Sequence, residues 1–195
     1  DAGDKAKVIE YADKIDTSSQ HLLGIINDVL DMSKIEAGKT IFKYTDFSIL
    51  DFMEELNTIF HSQIDEKNQT LTFMKENIRH EWVNSDQVHL MQIFSNLLSN
   101  AIKYSPDNTC TAIHLERDSD CVNVMITNTM SGQVPANLER LFDRFYRADS
   151  SRFYNTEGAG LGLSITRSII HAHGGELSAE QQGREIVFSV RLLMD

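Results

Sequence analysis

The sequence is poor in proline and cysteine and has no long apolar run. Its 195 residues include two prolines and two cysteines, so we expect neither a proline-rich linker nor a disulfide framework. If residues 110–128 form a hairpin, Cys110 and Cys121 do not face each other, and both are expected as buried free thiols. No stretch of about 18 apolar residues occurs, which predicts no membrane contact within this chain.

Basic residues are also scarce. Lys and Arg number 18 against 29 Asp and Glu, which gives a net charge of −11. Proteins that bind nucleic acid neutralise phosphates with a positive surface, so no nucleic-acid partner is expected. The chain begins at Asp1 without a methionine, and we expect it to be part of a longer protein.

Residues 4–37 are predicted to form one long helix. At about 1.5 Å per residue such a helix is roughly 50 Å long, too long for one layer of a compact two-layer domain. Its end is marked by Gly38, the residue type expected just past a helix. We favour self-association through this helix over an intramolecular neighbour. The apolar residues recur every seven positions, as in a coiled coil: Val8, Ile15, Leu22 and Val29.

The rest of the chain alternates between strand and helix patterns. Strands are predicted at 40–47, 70–75, 79–83, 111–116, 122–128, 176–181 and 185–192. Helices are predicted at 48–65 with Ser48 as N-cap, from near 88 to 104, and at 161–173. Residues 143–157 show no sustained period, which predicts a mobile loop.

A polar stripe marks the helix that ends at residue 104. Asn96, Asn100 and Lys103 fall at i, i+4 and i+7, on one side of an otherwise apolar helix. An Asn carbonyl oxygen is a neutral ligand suited to Mg²⁺, and a lysine one turn on can meet phosphates that the metal bridges. Taken alone, the two asparagines fit a solvated helix face better than a metal site.

A glycine-rich segment further along the chain favours the nucleotide interpretation. Residues 158–165 read Gly-Ala-Gly-Leu-Gly-Leu-Ser-Ile, so a glycine run opens a helix. That arrangement offers backbone N–H groups to a phosphate chain. The two segments together predict a site for a magnesium-bound triphosphate.

Three motifs in series resemble the ATP-binding catalytic domain of sensor histidine kinases. They are residues 96–104 (Asn-Leu-Leu-Ser-Asn-Ala-Ile-Lys-Tyr), 141–152 (Leu-Phe-Asp-Arg-Phe-Tyr-Arg-Ala-Asp-Ser-Ser-Arg) and 158–165. Residues 19–38 are similar to the second helix of that family's dimerisation and histidine-phosphotransfer hairpin. The resemblance implies an α+β fold: a two-layer α/β sandwich, with a mixed sheet and helices on one face, preceded by a long helix. It divides the chain into the hairpin helix, 1–38, and the catalytic domain, 39–195.

The resemblance also implies an enzyme, a protein-histidine kinase of two-component signalling. It would transfer the γ-phosphoryl group of ATP, with Mg²⁺, to a histidine on the dimerisation domain. The implied partners are a second copy of the chain, bound through the N-terminal helix, and a response regulator or receiver domain. The implied location is cytoplasmic, as part of a sensor that can be membrane-anchored.

The phosphoacceptor histidine of this family lies in a His-Glu-x-x-Thr-Pro-like sequence, which this chain lacks. His21 lies in a context that matches the second hairpin helix, and His80 lies on a predicted strand. Neither is assigned as the acceptor, so we expect that this fragment alone does not autophosphorylate.

Residue roles follow from the motifs that match. Asn100 resembles the Mg²⁺ ligand, and Phe142 and Phe145 are expected to anchor the ends of a lid loop in the core. The residues implied in positioning or neutralising the transferred phosphoryl group are Asn96, Lys103, Arg147 and Arg152, although a solvent-facing role suits either arginine equally well. Those implied in binding the nucleotide are Asn96, Asn100, Lys103, Tyr104, Asn128, Met130, Gly132, Gly158, Gly160, Leu161, Gly162 and Leu163.

The chain departs from the family at its first glycine box. The usual Asp-x-Gly-x-Gly aligns with Asn128-Thr-Met-Ser-Gly132. Asn128 is a neutral acceptor and binds an adenine amino group less strongly than a carboxylate does. Met130 adds a side chain where the backbone otherwise approaches the base. The alternative function is therefore a degenerate, nucleotide-free module that acts in dimerisation and protein–protein signalling.

Hydrolysis is the other reaction to weigh. ATP-hydrolysing relatives of the gyrase and Hsp90 kind place a glutamate one turn before the metal-binding asparagine, as general base for water. Asn96 occupies that position here and cannot take a proton. A neutral imidazole is already nucleophilic, so the sequence favours phosphotransfer to histidine.

Overall fold

The structure is a computed structural model that describes residues 2–76, 81–117, 121–132, 135–147 and 159–193. Its helices are α1 (Ala2–Glu36), α2 (Ile49–Glu66), α3 (Gln87–Tyr104) and α4 (Gly162–Ala172), with a 3-10 helix at Leu138–Phe142. Its strands are β1 (Thr45–Ser48), β2 (Thr70–Glu76), β3 (Trp82–Ser85), β4 (Cys110–Arg117), β5 (Cys121–Thr129), β6 (Glu176–Gln182) and β7 (Glu185–Leu193).

Five strands form a mixed sheet in the order β2-β4-β5-β7-β6. The pair β2–β4 is parallel, and the other neighbours are antiparallel. Alternate residues of β4 are buried, which shows that one face of the sheet is covered. Helices α2, α3 and α4 cover it with fully buried side chains, among them Phe52, Leu56, Ile93, Leu97, Ile165 and Ile169. The predicted two-layer sandwich is confirmed.

The predicted helix ends agree with the caps that the structure shows. Ser48 is the N-cap of α2, and its Oγ accepts a hydrogen bond from the Asp51 N–H at 3.3 Å. Asp86 caps α3 in the same way, through the His89 N–H at 3.0 Å. Both side chains satisfy a donor that the first turn of a helix leaves unpaired.

The long helix α1 uses only part of its apolar surface within the chain. Met32 is buried, and Ile25 and Ile35 pack against the core, where α1 contacts α4. The heptad residues lie elsewhere on the helix and are 47–66% exposed: Val8, Ile15, Leu22 and Val29. Among the described residues, no helix is long and apolar enough to cross a membrane.

Two predictions about local structure are wrong. The strand predicted at 40–47 begins only at Thr45. Before it, the Lys43 N–H donates to the side chain of Asp86, at 2.7 Å from Oδ2, and not to a neighbouring strand. Both cysteines are free, but only Cys121 is buried. Cys110 is exposed because it is the first residue of β4, at the end of the sheet.

Lys67 holds the C-terminal end of α3. Its ammonium donates to the carbonyl oxygens of Ile102, Lys103 and Ser105 at 2.9, 3.0 and 2.9 Å. The last carbonyls of a helix have no partner inside the helix, and the negative end of the helix dipole attracts a cation. Lys67 therefore fixes the C-terminal end of α3, which is formed by Tyr104 and its C-cap Ser105.

Replacing Lys67 by methionine is expected to lower the free energy of unfolding by about 2 kcal/mol, since hydrogen bonds to a charged group contribute about 1.5–3 kcal/mol. Urea unfolding measures the change. The exposed Lys75 provides a control, because Lys75→Met should change stability by less than about 0.5 kcal/mol. Equal losses in the two variants would contradict a capping role.

A cluster of Phe42, Asp86, His89 and His173 holds the segment between α1 and β1 in place. The Phe42 ring centroid lies 3.8 Å from that of His173 and 4.9 Å from that of His89. Burial would raise the pKa of the Asp86 carboxyl, but hydrogen bonds from the backbone of His89 and Lys43 and from the His89 side chain outweigh it and lower that pKa. Burial and the neighbouring His89 lower the pKa of His173, although the Ile169 carbonyl and Asp86 oppose them.

The free energy of unfolding is expected to fall as the pH decreases from about 7 to about 5, the range in which histidine titrates. The reason is that folded His173 binds a proton less tightly than the unfolded chain, whose histidine pKa is 6.5. The unfolded state then holds more protons, so stability rises with pH across this window. Urea unfolding at several pH values should show a flatter dependence in His173→Gln and an unchanged one in His171→Gln, an exposed neighbour. Equal dependence in both variants would rule His173 out.

Candidate functional site

A cavity of about 210 Å³ lies where α3 meets the start of α4. Nine of its lining residues were predicted from the sequence to bind or position a nucleotide: Asn96, Asn100, Lys103, Tyr104, Arg147, Gly160, Leu161, Gly162 and Leu163. The others were missed: Asp28, Ser99, Leu141, Tyr146 and Ala159. Arg152 and Gly158 lie outside the described residues, as does most of the predicted loop 143–157.

The two asparagines of the polar stripe do different things. The Asn100 side-chain N–H donates to the backbone carbonyl of Asn96 at 2.7 Å, which leaves its Oδ1 as the acceptor atom that suits a hard cation. The Asn96 side-chain N–H donates to the Gly162 carbonyl at 3.1 Å and to Thr166 Oγ1 at 3.3 Å. Asn96 therefore ties α3 to α4, and Asn100 is the candidate metal ligand.

Other metal donors are not grouped near this site. Within the described residues, no set of three or more His, Cys, Asp or Glu side chains is arranged to hold a metal ion. A cation in this cavity would therefore need oxygen atoms from another source as well as Asn100. The phosphates of a nucleotide are such a source, because Mg²⁺ is commonly held by one or two protein groups plus substrate phosphates.

The glycine segment packs closely on the backbone of Phe145 and Tyr146. Gly160 has φ of +74°, and a Cβ there would lie 3.0 Å from the Tyr146 carbonyl oxygen. The Gly160 carbonyl accepts the Phe145 N–H at 3.0 Å. Helix α4 then begins with an apolar N-cap, Leu161, whose side chain makes no capping hydrogen bond. Its first backbone N–H groups are therefore suited to an anion.

Charges of both signs face the cavity. Lys103 lies with its Nζ 5.6 Å from the centroid of the Tyr104 ring, and Arg147 also lines the cavity. Asp28, from α1, is the acidic member of the lining. Burial, with a smaller contribution from Asp31, raises the pKa of the Asp28 carboxyl. The two cationic side chains make the cavity suitable for an anionic ligand.

A second set of polar side chains, Ser105, Thr111 and Asn128, is buried near the C-terminal end of α3. Asn128 is 1% exposed, and its side-chain N–H donates to Ser105 Oγ at 3.0 Å. The Ser105 hydroxyl in turn donates to the Ala101 carbonyl at 2.7 Å, which orients the amide nitrogen of Asn128 toward the serine. The Asn128 Oδ1 and the Oγ1 of Thr111, its neighbour on β4, are buried without a hydrogen-bond partner among the described residues. Such atoms are rare in folded proteins and indicate a place for a donor.

The Met130 side chain covers Asn128 on one side. Its sulfur lies 3.9 Å from the Asn128 amide nitrogen, and its side chain packs against the core. The lining of the cavity described above, taken over the described residues, stops short of Asn128, Met130 and Gly132. The structure therefore brings most predicted residues to one open end. Of the first glycine box, Asn128 is buried at a second end, covered by Met130, whereas Gly132 is exposed.

Of the two phenylalanines expected to anchor the lid, only one does so. Phe142 is buried at the end of the 3-10 helix. The prediction for Phe145 is wrong: it is 63% exposed. Its backbone has φ of +60° and bonds to Gly160, so the main chain rather than the ring contacts the glycine segment.

Comparison with known proteins identifies the family. The family described as histidine kinase-, DNA gyrase B- and HSP90-like ATPase matches residues 85–194. The chain belongs to this ATPase family. The match begins just before α3 and extends through α4 to β7, so it contains both ends of the site.

Relatives place this ATPase domain among the sensor kinases, as the sequence motifs predict. The chain is 67% identical over 176 residues to the probable sensor protein PcoS of Escherichia coli, covering 90% of this chain and 37% of PcoS. It is 28% identical to the catalytic domain of histidine kinase ThkA, with a TM-score of 0.66, covering 77% of this chain and 95% of that domain. Full-length ShkA in complex with AMPPNP shares the fold, with a TM-score of 0.78 at 22% identity, over 90% of this chain and 36% of ShkA. The chain thus spans little more than a third of the curated relative PcoS.

Proposed function

We propose that this chain is the ATP-binding catalytic part of a sensor histidine kinase, and that it transfers the γ-phosphoryl group of magnesium-bound ATP to a histidine of the dimerisation domain. One observation carries the proposal. A candidate metal ligand (Asn100), two cationic side chains and the start of α4 converge on one cavity. Membership of the ATPase family supports the same conclusion.

The residues present fit a nucleotide at both ends of the site. At the open end, Asn100 Oδ1 would hold Mg²⁺, and Lys103, Arg147 and the N–H groups of α4 would bind the phosphates. At the covered end, Asn128 Oδ1, which has no partner in the part of the chain that the structure describes, would accept a hydrogen bond from the adenine amino group. When bound, Mg²⁺ supplies neutralisation of the phosphate charge.

The chemistry expected of this chain is positioning and charge stabilisation. Asn96 holds the glycine segment against α3 and, as an amide, cannot act as a base for water. Lys103 and Arg147 would stabilise charge on the transferred group. Phosphotransfer to a histidine needs no base at Asn96, so the site suits a kinase better than a hydrolase.

The partners proposed for the whole protein are a second copy and a response regulator. Residues 1–38 are proposed as the second helix of the dimerisation hairpin and 39–195 as the catalytic domain. The exposed heptad residues of α1 support pairing through that helix, since such a surface is normally covered by a helical partner. The neighbour ThkA has been solved in complex with the response regulator protein TrrA.

A specific observation favours a second candidate. Met130 lies against Asn128, the residue proposed to bind the adenine amino group. A domain that keeps this side chain in place would fold without binding ATP. It would then act as a nucleotide-free module in dimerisation and protein–protein signalling.

Calorimetric titration with a non-hydrolysable ATP analogue separates the two candidates. The kinase proposal predicts saturable binding that becomes tighter when Mg²⁺ is added, because Asn100 and the phosphates share the ion. The matched control replaces Mg²⁺ by EDTA. No heat at millimolar nucleotide, with a protein that still unfolds cooperatively, would favour the nucleotide-free module.

A further inference from the structure

We infer that the covered end of this site, beside Asn128, does not discriminate between 6-amino and 6-oxo purines. Inosine triphosphate should therefore bind about as well as ATP. The inference rests on the proposed function, because it assigns the purine ring to the side chain of Asn128, which Met130 covers in the structure. It concerns the class of nucleotide that the site accepts. Its physical basis is the ability of the polar side chains there to exchange donor and acceptor roles.

Asn128 carries one acceptor atom and one donor group at the end of its side chain. In the orientation that the structure shows, the amide nitrogen donates to Ser105 Oγ at 3.0 Å and, over a longer distance of 3.4 Å, to the Thr129 carbonyl. The acceptor, Oδ1, is buried and has no partner among the described residues. This orientation suits a 6-amino group, which donates.

The opposite orientation gives up the long hydrogen bond to the Thr129 carbonyl but keeps the one to Ser105, because Ser105 can reverse its role. A serine hydroxyl donates or accepts, so it can turn from the Ala101 carbonyl and donate to Asn128 Oδ1 instead. The Ala101 carbonyl then keeps a partner, since it also accepts the Ser105 backbone N–H at 3.2 Å. The rotated amide presents its N–H group where Oδ1 was, and this suits a 6-oxo group, which accepts.

The Thr111 hydroxyl is a second group that can either donate or accept a hydrogen bond. It lies opposite Asn128 in the register of β4 and β5, and its buried Oγ1 has no partner within the described part of the chain. A hydroxyl can donate to the unprotonated N1 of adenine or accept from the protonated N1 of hypoxanthine. Ser105, Thr111 and Asn128 therefore all suit both bases.

An aspartate at position 128 would lack this freedom. An ionised carboxylate only accepts hydrogen bonds, and a 6-oxo oxygen would face a buried negative charge without a donor. Sites that leave a buried polar group unpaired reject the wrong ligand by large factors, up to about 10⁴–10⁵. The asparagine is thus the residue that removes discrimination at this position.

The test compares calorimetric titrations of ATP and inosine triphosphate, each with Mg²⁺. For the natural chain we expect dissociation constants within about tenfold of each other. Asn128→Asp should weaken inosine triphosphate relative to ATP by at least about 100-fold, the loss that an unpaired buried polar group produces. Ser105→Ala removes the donor that the rotated amide needs, and should weaken inosine triphosphate by about tenfold more than ATP.

The outcomes distinguish this inference from the proposed function. If neither nucleotide binds, the proposed function fails. If ATP binds and inosine triphosphate is rejected by more than about 100-fold in the natural chain, the inference is overturned and the kinase proposal stands. Equal nucleotide preference in Asn128→Asp and the natural chain would also overturn it. Should the buried carboxylate prevent folding, Ser105→Ala alone decides, because an unchanged preference there excludes the rotated amide.

Discussion

Asn100→Ala is expected to weaken ATP binding in the presence of Mg²⁺ by about 10- to 100-fold, the loss typical of disturbing a metal site. The reason is the Asn100 carbonyl oxygen, the neutral hard ligand in a cavity whose described lining offers one carboxylate, that of Asp28. Without the amide, the cation would lose the protein ligand that Asn100 is proposed to supply. Binding in EDTA should change much less, because the cationic side chains and the start of α4 are untouched.

The measurement is a pair of titrations, with Mg²⁺ and with EDTA, on each variant. Asn57→Ala is the matched control, since Asn57 is an exposed asparagine of α2, on another helix. It should reproduce the natural chain in both titrations. If Asn100→Ala loses as much affinity in EDTA as in Mg²⁺, then Asn100 contributes to the fold or to the phosphates and is not a metal ligand.

The regular elements could be predicted because their apolar residues repeat with the period of a helix or a strand. In α3, the buried positions Ile93, Leu97, Leu98 and Ile102 face the sheet, and this leaves Asn96, Asn100 and Lys103 toward the cavity. The glycine segment was predicted for a different reason: its residues carry a local signal for a turn that opens a helix. Two local patterns were thus enough to locate the open end of the site.

The features that sequence reasoning missed depend on contacts between distant parts of the chain. Asp28 looks like any polar residue of a coiled-coil helix, and only the packing of α1 against α4 brings it to the cavity. Phe145 looks like a core residue, but its backbone bond to Gly160 leaves its ring exposed. Residues 40–44 alternate like a strand, yet the Asp86 carboxylate takes the Lys43 N–H that a neighbouring strand would need.

At the covered end of the site, tertiary contacts show which of the two departures from the family motif should weaken nucleotide binding. The departures at Asn128 and Met130 were visible in the sequence, but their physical effect was not. The structure separates them: Asn128 has an acceptor without a partner among the described residues, whereas Met130 lies beside it and packs on the core. Weakened nucleotide binding is therefore expected to come mainly from the methionine.

Met130→Gly is accordingly expected to tighten ATP binding by about tenfold. A side chain that must leave before the base can enter lowers the apparent affinity by the fraction of molecules that are already open. Methionine is unbranched and flexible, so its side chain can move aside. Each time ATP binds, however, the Met130 side chain must give up its contacts with the core. Removing the side chain removes that loss and leaves Asn128 Oδ1 accessible.

Titration with ATP and Mg²⁺ measures the gain, and thermal unfolding reports the stability lost with the core contacts. Met130→Leu provides the control, because it keeps nearly the same volume and should bind ATP no more tightly than the natural chain. Weaker binding in Met130→Gly would mean that the methionine contacts the base instead of excluding it. Tight binding in the glycine variant, combined with none in the natural chain, would mean that the domain retains a nucleotide site that this one side chain closes.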